Sequence, residues 1–164
     1  MKTKILYYSF CFVIIAFQKS FSQKLNFTDL EYCLIHRIDE SDSYLAKKGY
    51  EFMKYDEKKD TYSCATTEWA FARNTSNNRA DSFISKYCDE PNEGFVWFQP
   101  VDKKTFEAIK AECLKLGFKF KSKIFEKEVG ALNFVYETKK YKIEFASGIN
   151  NDNSNVYSIT LHKL

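Results

Sequence analysis

Two histidines, His36 and His162, and five cysteines are the residues here with the widest chemical reach. Nucleophilic catalysis by a thiol needs an imidazole within hydrogen-bond distance, and a zinc site needs ligands at short, regular spacing. Neither pattern is written in this chain. It has no C-x-x-C pair, no H-E-x-x-H and no G-x-S-x-G, and it lacks the G-x-x-x-x-G-K-[ST] and G-x-G-x-x-G phosphate loops. His36 reads as the polar side of a helix beside Arg37. His162 is out of phase with Tyr157, Ile159 and Leu161, so both are expected at the surface without the partner a base or ligand requires. Two runs resemble calcium chemistry at first sight. Asp39-Glu-Ser-Asp42 is explained as the joint and cap of a helix pair, and Asn150-Asn-Asp-Asn-Ser-Asn155 lacks the glycine and distant glutamate of an EF-hand loop. No catalytic residue, metal ligand or cofactor is assigned.

Recognition chemistry is better represented. Gly94 to Val101, G-F-V-W-F-Q-P-V, is apolar at successive positions, as in a central or bridging strand covered on both faces. Trp97 and Phe98 within it are the candidate partner-binding residues, because large aromatics are favoured as interface anchors. Trp69 is assigned to the core.

The elements that carry these residues repeat. Leu45 to Lys54, L-A-K-K-G-Y-E-F-M-K, is echoed by Cys113 to Ser122, C-L-K-L-G-F-K-F-K-S. In each, a helix stripe runs into a glycine suited to a helix end, and a strand alternation follows. Thr28 is placed to cap the first helix, through Leu30, Cys33, Leu34 and Ile38. Ser41 or Asp42 starts the second, and Asp102 caps a third through Phe106, Ile109, Cys113 and Leu116. Further on, Trp69 to Cys88 aligns with Ile143 to His162, each a strand hairpin around an Asn-rich connection, and Gly130 marks a turn in the longer second copy. The reading is α+β, with two tandem helix-then-antiparallel-strand repeats packed into one compact unit. A first αβ repeat covers residues 23–93, and a second, opening with the bridging strand, covers 94–164.

Residues 1–22 read as a signal peptide. A basic head, Met1 to Lys4, precedes an apolar run from Ile5 to Phe17, and Ser20-Phe-Ser22 offers small residues for cleavage before Gln23. The run is shorter than the roughly 18 residues a membrane helix needs, so no stable span is expected after cleavage. Of 25 basic and 22 acidic residues, only Lys2, Lys4 and Lys19 leave, which makes the mature chain net neutral. That balance, with lysines alternating with Glu and Asp, sets nucleic acid aside. The expected location is periplasmic or secreted, an oxidising compartment that permits disulfides among Cys33, Cys64, Cys88 and Cys113 in any of three pairings.

The two glycine-centred stretches and the paired hairpins resemble, in order of elements, the β-lactamase inhibitory proteins, which are two tandem copies of helix pair and antiparallel sheet. They are also similar to the helix-pair-plus-three-strand domain of barrel-assembly lipoproteins, although no lipid-attachment cysteine follows the apolar run. The resemblance covers Thr28 onward and carries no functional residue across. It implies a sheet surface that grips a partner protein. The expected function is an exported, non-enzymatic binding protein, an inhibitor or immunity-like partner of a protein in the envelope or extracellular space. The alternative is a small-ligand or envelope-polymer binder with an apolar cleft between the two sheets.

Overall fold

Asn26 and Asp29 begin the first helix by capping each other. The Asp29 amide donates to Asn26 Oδ1 at 3.0 Å, and the Asn26 amide donates to Asp29 Oδ2 at 2.8 Å. This reciprocal pair, and not Thr28, sets the start of α1 (Phe27–Ile35). The next helix, α2 (Ile38–Ala46), starts before the Ser41 or Asp42 expected from sequence. Asp39 and Glu40 stand in its first turn, where the helix dipole favours carboxylates. Asp102 does cap α3 (Lys103–Lys115), accepting from the Thr105 amide at 2.7 Å. The computed structural model describes residues 25–57, 64–76, 79–88, 94–127, 130–149 and 153–164, so the signal peptide read at 1–22 lies outside them. Among the described residues no helix is long and apolar enough to cross a membrane.

The described residues form eight strands, four after α2, namely β1 (Tyr50–Asp56), β2 (Thr66–Phe71), β3 (Ser82–Tyr87) and β4 (Phe95–Gln99), and four after α3, namely β5 (Lys119–Glu126), β6 (Ala131–Glu137), β7 (Tyr141–Ile149) and β8 (Asn155–Lys163). They form one antiparallel sheet in the order β1-β2-β3-β4-β8-β7-β6-β5. The architecture is α+β. Because the described strands form a single continuous sheet, they leave no cleft between two sheets. The order is symmetric about its middle: counted from each glycine joint, β4 and β8 are both fourth in line, and they pair from Phe95–His162 to Phe98–Ile159. Hence Gly94–Val101 does contain a bridging strand. The hairpin alignment shifts by one strand, because Ala131–Glu137 is a strand that it passed over. β2–β3 stands opposite β6–β7 in this order, and β7–β8 opposite β3–β4.

The two joints share their geometry. Gly49 has φ +82° and Gly117 φ +87°, and a register shift follows at Phe52/Lys54 in β1 and at Phe120/Ser122 in β5. At the end of α3 the Phe118 amide reaches back to the Cys113 carbonyl and the Gly117 amide to that of Leu114, each at 3.1 Å. This closing pattern requires a left-handed residue at Gly117. Leu45 and Cys113, like Tyr50 and Phe118, are buried at matching places, while Phe52 and Phe120 are exposed.

The three described helices all pack on one sheet face, over Trp69, Ile84, Val96, Phe98, Ile143, Phe145, Ile159 and Leu161. Each large side chain buried there contributes about 1.5–3 kcal/mol. Lys86 lies among them with no exposed surface. Its Nζ donates to the carbonyls of Cys33 at 2.7 Å, Leu34 at 3.4 Å and His36, the C-terminal end of α1. A cation there meets the negative end of the helix dipole. The other end of α1 is tied as well: the Phe27 amide donates to Glu112 of α3 at 3.0 Å, and Asp29 accepts from Tyr44 at 2.5 Å and pairs with Lys48 at 2.9 Å.

Cys64 and Cys88 form a disulfide that closes the β2–β3 hairpin, with Cα atoms 4.7 Å apart. Constraining a loop of this length stabilises by roughly 3–4 kcal/mol on the chain-entropy account. Beside it Gly94 lies close against the end of β3, where an added Cβ would stand 2.0 Å from the Tyr87 carbonyl oxygen.

Two stability tests follow from these contacts. Lys86→Met should destabilise by about 3 kcal/mol or more in urea unfolding, since three carbonyls lose their donor, two of them on fully buried residues. A loss under about 1 kcal/mol would refute that accounting. Gly117→Ala meets no atom within 4 Å, so it should cost only the left-handed strain, about 1 kcal/mol. Gly94→Ala should cost about 3 kcal/mol or more because backbone must move; equal melting of the two variants would contradict the close approach at Gly94.

Candidate functional site

Alternation along β4 divides the apolar run between two environments. Val96 and Phe98 point into the helix-covered core, where Phe98 is 1 % exposed. Phe98 is therefore a core residue and is not available as an anchor. Phe95, Trp97 and Gln99 point to the opposite face, partly exposed. Among the described residues no helix packs there, because α1, α2 and α3 all contribute to the core on the other side.

Strand pairing then assembles what no short stretch of sequence contains. Tyr87, Phe95, His162 and Lys142 stand side by side across β3, β4, β8 and β7. The neighbouring row runs Glu68, Ser85, Trp97, Thr160 and Glu144. Tyr87 stacks on Phe95 with centroids 4.0 Å apart, and Phe95 meets His162 at 5.2 Å. Charges flank this aromatic strip. On one side Lys54 pairs with Asp56 at 3.0 Å and Glu68 at 3.4 Å; on the other, Glu144 pairs with Lys142 at 3.0 Å and lies 3.5 Å from His162 Nε2. An aromatic centre with a charged rim is the usual anatomy of a protein-binding surface. Of the two residues named from sequence, Trp97 lies on this face and Phe98 in the core. Tyr87, Phe95 and His162 were not assigned to it, because β4–β8 pairing joins segments distant in sequence.

The strip perturbs its own titratable groups. Burial, and then the nearby Glu68, raises the pKa of Tyr87, while Lys54 opposes the shift. His162 is partly buried in this face, which modifies the surface placement expected for it. Burial and then Lys142 hold its imidazole below the usual 6.5, with Glu144 pulling the other way.

The reactive groups elsewhere are buried or hydrogen-bonded. Burial pushes the Cys33 and Cys113 thiols up to about 12, so both stay protonated and weakly nucleophilic. His36 Nδ1 lies 2.9 Å from the Tyr32 carbonyl, and its ring stacks on Tyr32 at 3.8 Å. Asp42 accepts from the buried Trp69 indole at 2.7 Å. Among the described residues no three potential metal ligands converge.

No known protein family matches this chain, and no curated protein or solved structure is significantly similar to it.

His162 supplies a pH test. Its folded-state pKa is depressed, so the unfolded chain takes up the proton first. The contribution to stability is present above the unfolded value of about 6.5 and is lost as pH falls through the folded value. His162→Gln should flatten the fall in urea midpoint between about pH 7 and pH 5. A slope identical to wild type would remove His162 from the acid response.

Proposed function

We propose that this chain is an exported protein-binding module of the inhibitor or immunity-partner kind, with no catalysis of its own, which grips its partner on the uncovered sheet face. The observation that carries this reading is the strip of Tyr87, Phe95 and Trp97, set on central strands and covered by no helix among the described residues. Sheet strands hold side chains in place before binding, so little order remains to be gained on association. The ion pairs at Lys54 and Glu144 supply a rim that selects by charge. The protonated thiols and the engaged His36 support a non-enzymatic reading. The Cys64–Cys88 disulfide supports export to an oxidising compartment, as does the leader-like segment at 1–22. A partner protein in the envelope or extracellular space fits both. The small-ligand reading has no cleft between sheets to rest on, and the observation that favours it is a groove along α3.

A photo-crosslinking residue at position 97 should capture one partner from envelope extract or culture medium. The same residue at Leu114, exposed on the helical side, should not. With the purified partner, Trp97→Ala should weaken binding at least about 30-fold without changing the melting temperature. Capture from both positions alike, or unchanged affinity in Trp97→Ala, would reject this face as the contact surface.

A further inference from the structure

On the opposite side of the molecule, α3 and the sheet beneath it leave a groove of about 350 Å³. That is within the size range of small-molecule sites. Its aromatic lining comes from three elements: Phe106 of α3, Phe134 of β6 and Tyr157 of β8. Phe106 and Tyr157 touch, with ring centroids 5.1 Å apart.

The charges around this lining are not balanced. Lys103 and Lys110 line it from the helix, two turns or about 10 Å apart, with Glu107 as the one carboxylate among the described lining residues. Lys110 Nζ lies 4.8 Å from the centre of the Phe134 ring, and Lys123 Nζ of β5 lies 5.7 Å from the same ring. Among the described residues no ion pair engages Lys103, Lys110 or Lys123, whereas Lys48, Lys54, Lys121, Lys140 and Lys142 are all paired. Ring contact holds each ammonium only weakly, by about 0.5–1 kcal/mol at exposed sites. Two like charges gathered on one ring gain more from an anion than from each other.

The geometry points to a binding site for a small aromatic anion, its rings on the Phe106, Phe134 and Tyr157 surface and its carboxylate or sulfonate drawn to Lys110, with Lys123 adding to the same positive field. The site is separate from the Trp97 face and uses none of its residues.

The probe is 8-anilinonaphthalene-1-sulfonate, with N-phenyl-1-naphthylamine as the same ring system without the sulfonate. Fluorescence titration of the folded protein, well below its melting temperature, should show saturable one-to-one binding of the sulfonate and at least tenfold weaker binding of the neutral dye. Lys110→Gln should weaken the sulfonate at least tenfold and leave the melting temperature unchanged. Lys115→Gln, which removes one exposed charge in the last turn of α3, should bind like wild type. Trp97→Ala should also bind like wild type, which separates this site from the partner face. The assignment fails if the sulfonate does not saturate, if the neutral dye binds equally well, or if Lys110→Gln has no effect. It also fails if Trp97→Ala abolishes binding, since the dye would then occupy the other face.

Discussion

A lysine with no exposed surface is tolerated only when each of its three N–H donors finds an acceptor. Lys86 finds three in one place, the carbonyls at the C-terminal end of α1. Those carbonyls have no partner within the helix, and the two on Cys33 and Leu34 belong to fully buried residues. One side chain from the middle of the sheet thus satisfies a helix end and neutralises its dipole. Much of the layout follows. α1 lies across β4 and β8, Asp29 fastens its start to α2, and Glu31 accepts from Tyr141 of β7 at 2.6 Å. The helix that crosses the seam is fixed at both ends and along its side.

This constraint was hidden in the sequence for a specific reason. In Ser82–Tyr87 the apolar residues Phe83 and Tyr87 suggest the buried phase, and Lys86 the solvent phase. The structure inverts that assignment: Ile84 and Lys86 enter the core, while Phe83 and Tyr87 lie on the open face. Composition misleads whenever a polar group is buried with partners of its own and apolar groups occupy a half-exposed surface. The glycine joints were legible because helix stripe, positive-φ residue and alternation are all local signals. β6 was not, since Ala131–Glu137 is apolar on both faces and offers no clean alternation. For the candidate face, Trp97 was readable but its separation from Phe98 was not. A run such as V-W-F gives no phase until a covering helix selects one.

The two faces divide the work of the molecule. The helical side holds nearly all the fully buried apolar side chains, the capped helix ends and the protonated thiols, so it accounts for stability. The open side carries aromatic groups and ion pairs that folding alone does not explain. Its central strands are each paired on both sides, an arrangement that would suit the proposed partner surface.

The seam between β4 and β8 also decides the order in which the sheet can be completed. β1 to β4 pair in sequence as a meander, but β4 then presents Val96, Trp97 and Phe98 on an unpaired edge until β8 arrives from the far end of the second half. Such an edge is a ready template for a wrong strand, and contacts this distant in sequence form late. A chain that assembles its first half early therefore holds its most adhesive strand open longest, which favours a pathway where both halves dock as one cooperative event.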